Sequence, residues 1–340
     1  MSFVSYKGSN DMSRRYYLYS EGSIRQKDKT IEFESGENKR SVPITDIDEI
    51  YVMNDMKLTT KLLNILSQYG IPIHFFNYHE FYIGSFYPRE SKQAGKLLVQ
   101  QVSAYTDTEK RLYLAQKILQ AAAKNIYRNL RYYNGRGKDC TEAMDKIFHL
   151  IPSLEKARTI EELMGIEGNI RREYYSAWNV IINQDIDFTK RVYHPADNMI
   201  NSMISFVNSM MYTQVLSQIY KTQLNPTISF LHQPEVRRFS LALDVSEIFK
   251  PLICDRLIFS LLNRNQITEK SFVQDFNGLR MTEKASKTIA ASFDEKLNQT
   301  IRHKELNREV SYQYLIRLEL YKIIKYLIGE KDYNGFEIWW

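Results

Sequence analysis

A chain of 340 residues carrying a net charge of +6, with 44% hydrophobic and 25% charged residues, is long enough to build two domains with substantial cores. Its two cysteines, Cys140 and Cys254, have no CxxC spacing, which excludes a disulfide framework and a zinc–thiolate site and fits a reducing cytoplasm. The N-terminus lacks a signal-peptide hydrophobic region and no stretch approaches the ~20 apolar residues of a membrane span, so a soluble protein is expected; the mild positive charge allows a polyanionic partner without demanding one.

Residues 1–13 are polar and dotted with Gly and Ser, and read as a poorly ordered arm. From Arg15 to Arg89, short runs rich in Tyr, Ile, Val and Phe alternate with turn signals at residues 21–23, 27–29 and 35–37, the texture of strands and hairpins. One helix interrupts them, with Thr59 or Thr60 as its cap, Leu62, Leu63 and Leu66 as its buried face and Gly70 as its stop, before an apolar strand from Ile71 to Phe76. Residues 1–89 are therefore expected to form a small, mostly-β domain. Its aromatic side chains Tyr78, Phe81, Tyr82, Phe86 and Tyr87 suit either a base-stacking platform or, the preferred reading, strand packing and a homodimer contact.

Pro88 to Ser91 marks a boundary, after which helical period dominates, so residues 90–340 are read as a larger all-α domain and the whole chain as α+β. Between Lys110 and Lys138 stand eight Lys or Arg residues and no Asp or Glu. Lys117, Lys124, Arg128 and Arg131 are spaced to share one helix face, opposite Ile118, Leu119, Ala122 and Ile126. Solvated faces normally mix signs, so this stripe suits a DNA phosphate backbone, with an ordinary basic surface as the alternative. Further on, Leu163, Ile166, Ile170 and Tyr174 outline an apolar helix face, and Glu167 stands between Gly165 and Gly168. Each glycine costs a helix roughly 1 kcal/mol relative to Ala, so close approach of another helix or a ligand is expected there. Otherwise Glu167 is a surface residue at a loosely formed helix start.

The stretch from Asn225 to Ile267 is densest in chemistry. Asp244 and Glu247 lie three residues apart on a helix patterned by Leu241, Val245, Ile248 and Leu252, and so project from nearly the same side. Carboxylates that close repel unless a cation or proton lies between them, and His232, just upstream, offers a nitrogen ligand to complete a metal site. The plainer alternative for His232 is a hydrogen-bonded core histidine. Arg237, Arg238, Lys250 and Arg256 surround the stretch with charge suited to phosphates or, equally, to pairing with the acids. Residues 278–306 and 311–331 read as closing helices, and the apolar tail Phe336 to Trp340 is expected to dock on its own chain or on a partner.

Three segments in order, Leu163-Met-Gly-Ile-Glu-Gly168 with Arg171, Tyr174 and Tyr175, then Ser229-Phe-Leu-His232, then Asp244-Val-Ser-Glu-Ile-Phe-Lys-Pro251 running into Asp255-Arg256-Leu257, together resemble the CRISPR-associated integrase family, CRISPR-associated protein one. That family inserts new spacers into CRISPR arrays and shares the β-to-α organisation. The resemblance implies a DNA endonuclease and integrase dependent on Mg2+ or Mn2+, acting on duplex and branched DNA and on the CRISPR repeat, with CRISPR-associated protein two as assembly partner. It implies Glu167, His232 and Glu247 as metal ligands and Asp244 as a further catalytic residue. Lys250 stands where the family often has Arg, and the third ligand is Glu where some members have Asp. Such a ligand set matches the chemistry, because transesterification of a phosphodiester builds negative charge and needs an activated hydroxyl. Two other readings stand beside it, an unrelated metal phosphoesterase on a small substrate and a non-catalytic nucleic-acid scaffold. The basic stripe argues against the first, and metal-dependent cleavage separates the second.

Overall fold

The computed structural model describes residues 3–7, 14–77, 79–88, 94–186, 188, 190–192, 198–234, 239–275 and 278–339. Tyr78, the boundary at residues 89–91, Arg237, Arg238 and Trp340, all singled out above, lie outside the described residues.

The chain opens with β1 (Phe3–Lys7), β2 (Arg14–Leu18), β3 (Gly22–Lys27), β4 (Thr30–Ser35), β5 (Asn38–Pro43), β6 (Ile47–Val52), β7 (Met56–Leu58), α1 (Thr60–Tyr69), β8 (Ile73–Phe76) and β9 (Tyr82–Phe86). One sheet has the order β1-β2-β6-β8-β9 and the other β5-β4-β3-β7. In the first, β2, β6 and β8 run parallel, while β1 and β9 are antiparallel edges. The period of two along these strands sorts their side chains. Tyr16, Leu18, Ile50, Val52 and Ile73 join Ile24, Ile31, Phe33, Leu62 and Leu66 in an apolar core between the sheets and α1. The alternate residues Arg15, Tyr17, Glu49, Tyr51 and His74 are buried as well, and make a polar face. Helix α1 starts and stops as expected: Thr59 accepts from the Leu62 N–H at 3.2 Å, and Gly70 sits at φ 69°. The expected N-terminal arm is corrected at Phe3–Lys7, which pairs with β2 in register Phe3↔Leu18 to Lys7↔Arg14.

Helices follow: α2 (Gly95–Thr106), α3 (Thr108–Asn134), α4 (Thr141–Lys156), α5 (Ile160–Ser176), α6 (Trp178–Ile181), α7 (Met199–Tyr220), α8 (Ser240–Phe249), a π-helical turn (Pro251–Asp255) and α9 (Arg256–Asn263). Then come β10 (Phe272–Asp275), β11 (Gly278–Met281), α10 (Glu283–Asn298), β12 (Thr300–His303), β13 (Arg308–Ser311) and α11 (Tyr312–Leu327). The fold is α+β. Among the described residues no helix is long and apolar enough to cross a membrane.

Two compact units result, one made of Met1–Ser91 with Arg280–Tyr314, the other of Lys92–Leu279 with Leu315–Trp340. This corrects the division at residue 89/90 and the all-α reading of everything beyond it. Strands flank α10, and α10 returns to the first unit, where fully buried Arg15 of β2 pairs with Asp294 and also donates to Asn298 at 3.2 Å. The apolar face of α10, with Ala285, Ile289, Phe293 and Leu297, has ordinary helical period. Periodicity says that such a face is buried, but not which core it covers.

Candidate active site

The second unit brings the sequence-selected acids and histidine together through a loop and two helices. The loop at residues 225–232 is irregular, so its backbone polar groups need partners from elsewhere. Gln101 of α2 donates to Asn225 O and Ile228 O at 2.9 and 2.7 Å and accepts from the Asn225 N–H at 2.9 Å. Arg111 of α3 donates to Phe230 O at 3.0 Å. Asp244 of α8 completes the hold: Oδ2 accepts from the N–H groups of Phe230 and Leu231 at 2.7 and 3.0 Å, and Oδ1 from that of His232 at 3.0 Å. The His232 ring reaches Oδ1 through Nδ1 at 2.8 Å. Asp244 is fully buried and its oxygens are committed to this loop. The expectation that Asp244 and Glu247 form one repelling pair is corrected, since the two neighbours on α8 face different partners.

Glu247 instead meets cations. Its Oε2 accepts from Arg171 of α5 and its Oε1 from Lys250 at 2.5 Å. Glu167, one turn before Arg171, lies 3.7 Å from the Arg171 Nε. Burial raises the Glu247 carboxyl, but Lys250 and Arg171 outweigh it and hold the group at about 2. Burial raises the Glu167 carboxyl, the charge of Glu247 adds to this, and Arg171 offsets only part. Burial also pulls the His232 ring down, yet Asp244, Glu247 and Glu167 together carry it above its ordinary value. Glu167, His232 and Glu247 thus share one electrostatic cluster, open to solvent at His232, whose side chain is 21% exposed. Among the described residues no three His, Cys, Asp or Glu groups stand close enough to share one ion. The donor chemistry nevertheless fits Mg2+ or Mn2+: two hard carboxylates, and an imidazole whose Nδ1 is fixed by a carboxylate so that Nε2 is the donor left over.

Sequence reasoning gave no role to the groups that hold this arrangement, although Arg171 and Asp255 stand in the segments that carry the resemblance. Arg171 stands at i+4 from Glu167, a spacing that signals an ion pair on a helix. Gln101 occupies the buried stripe of α2 between Leu97 and Ala104, and a polar residue on an apolar face was its signal. Asp255, buried at the end of the π-helical turn, accepts from the Tyr174 hydroxyl, and burial pushes its carboxyl up to about 7.

Other expectations change. Gly165 and Gly168 face open space, with nothing within 4 Å of a Cβ at either position, so no helix packs there. The basic stripe is not of one sign in space. Lys124 pairs with Glu337 of the C-terminal tail at 2.8 Å, Arg128 donates to Ile338 O, and Lys117 reaches Gln120 at 3.4 Å and Glu155 at 4.0 Å. Arg131 is exposed, and Arg256 lies over the Tyr132 ring at 4.3 Å. The tail docks on its own chain: Asn125 of α3 bridges Phe336 O, Ile338 N and Ile248 O of α8, and Glu319 takes the Tyr333 hydroxyl at 2.6 Å. Lys250, read as a phosphate contact or equally as a partner for the acids, sits on Glu247.

Comparison with known proteins gives the family. The pattern of the family described as CRISPR associated protein Cas1 matches residues 16–295, and the chain belongs to that family. It is 60% identical over 334 residues to a CRISPR-associated endonuclease Cas1 of Fusobacterium nucleatum subsp. nucleatum, covering 98% of this chain and 99% of that one. A CRISPR-associated protein Cas1 of Methanobrevibacter ruminantium is 45% identical over 327 residues, 96% and 99% of the two chains. Among solved structures, a Cas1 protein from Thermotoga maritima superposes with a TM-score of 0.85 at 37% identity, covering 94% of this chain and 99% of its own.

Proposed function

We propose that this chain is a divalent-metal-dependent DNA endonuclease and integrase, which inserts captured DNA fragments as new spacers into a CRISPR array by phosphodiester transesterification. The observation that carries the reading is the partly buried cluster of Glu167, His232 and Glu247, with His232 oriented by Asp244, in a chain of the Cas1 family. Glu167, His232 and Glu247 would hold Mg2+ or Mn2+. Such an ion would supply Lewis-acid polarisation of a phosphoryl oxygen and activation of the attacking 3′-hydroxyl, or of water in the nuclease reaction.

Protein groups do the rest. Asp244 fixes both the loop backbone and the imidazole, so His232 keeps its place without reorganising during the reaction. Arg171 and Lys250, both paired with Glu247, would offset the negative charge that grows on the phosphoryl group. Lys117, Arg131 and Arg256, with Arg237 and Arg238, contact the phosphates of duplex or branched DNA and of the CRISPR repeat. Lys124 and Arg128 contribute less, being engaged by the tail. Assembly involves CRISPR-associated protein two and a second copy of this chain. Edge strand β9 suits the latter contact, because its Ile83 is 65% exposed.

The test is incubation of the pure protein with duplex and branched DNA in Mn2+, Mg2+ or chelator. Cutting in either metal and none in chelator is expected. Undiminished cutting in chelator contradicts the metal role, and DNA binding without cutting in any arm supports a scaffold instead.

A further inference from the structure

Asp255 is a buried acid beside the site that the chemistry above does not use. It ends the π-helical turn that carries α8 past Pro251, which has no N–H and would break a regular helix there. The wider turn absorbs the proline, with the Asp255 N–H donating to Lys250 O at 3.0 Å. One side of the carboxylate is satisfied: Tyr174 of α5 donates its hydroxyl to Asp255 while accepting from Asn129 at 2.8 Å. The other oxygen, Oδ2, is buried with no hydrogen-bond partner. A buried acceptor left unmet is costly and rare.

The cation that acts most strongly on Asp255 is Arg171, three residues before Tyr174 on the same helix. Its guanidinium lies within electrostatic reach of Asp255 as well as of Glu167 and Glu247, and carries a rigid fork of five N–H groups. In this structure the fork is committed to Glu247 Oε2, an oxygen that a divalent ion on Glu247 competes for. Two cations on one carboxylate repel each other, and Oδ2 of Asp255 is an acceptor ready for the displaced one.

We propose that Asp255 is a positioning residue for this site, the acceptor to which the Arg171 guanidinium transfers from Glu247 when Glu247 binds a divalent cation. The inference rests on the metal reading given above. Arg171 on Asp255 frees Oε2 of Glu247 for the cation, with Lys250 still on Oε1, and keeps a buried positive charge beside the reacting phosphate. With that acceptor removed, Arg171 stays on Glu247 and competes.

The experiment is calorimetric titration of Mn2+ into the full-length protein, its D255N, R171M and D255N/R171M variants, with melting in chelator as the control for folding. D255N keeps an oxygen for the Tyr174 hydroxyl and is expected to weaken Mn2+ binding about tenfold, the lower end for groups that orient metal ligands. R171M is expected to melt lower in chelator yet bind Mn2+ more tightly than wild type, and D255N is expected to change nothing further in that background. Wild-type affinity in D255N, or an equal loss with and without Arg171, overturns the proposal. A second reading needs no variant: the Arg171 Nε–H resonance of the wild-type protein is expected to shift on addition of Mg2+, and an unmoved resonance in a Mg2+-loaded protein contradicts the transfer. A wild-type protein that takes up no Mn2+ removes the metal reading and this inference together, whereas one that binds Mn2+ with no response in D255N removes this inference alone.

Discussion

Each unit of this chain contains a buried cluster built from the same kinds of side chain. In the first, Arg15 pairs with Asp294, Glu49 accepts from the Tyr51 hydroxyl at 2.8 Å, and His74 lies 4.0 Å from Glu49 and 2.7 Å from the Ser85 hydroxyl. Arg15, Asp294, Glu49 and His74 are all fully buried. In the second, Glu167, Arg171, Glu247, Lys250 and His232 keep between 6% and 21% of their side-chain surface exposed. Charge is therefore not what separates a site from a scaffold; access to solvent is. The closed cluster joins elements 279 positions apart and is sealed on every side. In the open one, the carboxylates are held by cations that an incoming ion or phosphate can replace.

The largest expected difference between them is in stability. Arg15→Met leaves Asp294 buried without its cation, and the first unit is expected to lose about 3–5 kcal/mol in urea denaturation. Glu247→Gln, in the open cluster, is expected to cost less, because Arg171 and Lys250 keep 15% and 17% of their side-chain surface exposed and the amide oxygen still accepts from them. Equal losses would erase the distinction between the two clusters.

Activity should divide the other way. Glu247→Asp keeps the charge but retracts the carboxylate by about 1 Å, and DNA cleavage is expected to fall on the order of 10²-fold with little change in melting temperature. A rate near wild type would mean that the α8 backbone tolerates either length, and would move the critical contact to Glu167 or His232.

A smaller effect is read from pH. Burial pushes the Glu80 carboxyl up to about 8, with Arg280 offsetting part of the shift. Because its folded-state value is raised, its contribution to stability is complete below the unfolded value near 4.5 and is lost as pH rises to about 8. Glu80→Gln is thus expected to raise Tm by about 2 °C at pH 8 and to leave it unchanged at pH 4. A shift of the same size at both pH values would contradict the burial effect.

The smallest effect belongs to a pair that lies outside both clusters. Lys124 and Glu337 are 41% and 34% exposed, so Glu337→Gln is expected to cost only about 0.2–1 kcal/mol. The tail should stay docked, since Tyr333 and Ile338 are fully buried. Release of the tail, measured as new proteolytic cleavage after Asp332, would show that this surface pair carries more than its exposure implies.

Much of this was legible in the chain itself. Alternation marked the strands, Thr59 and Gly70 bounded α1, and the ordered segments around Glu167, His232 and Glu247 pointed to one cluster. What stayed hidden depends on long-range placement. Asp244 and Glu247 share a side of α8 by spacing, yet the amides of residues 230–232 claim one and Arg171 with Lys250 the other. The basic stripe looked unopposed because Glu155 and Glu337, which stand against it, are distant in sequence. The return of α10 to the first unit follows from where Arg15 sits, and no local pattern announces a partner 279 positions away.

The most direct test of the open cluster is a crystal of the full-length protein grown with Mn2+ and measured at the manganese absorption edge. One anomalous peak is predicted, bonded by Glu167, His232 Nε2 and Glu247 at a little over ~2 Å. A Mn2+ peak held by other residues, or none at this cluster in protein that cuts DNA, would contradict the assignment.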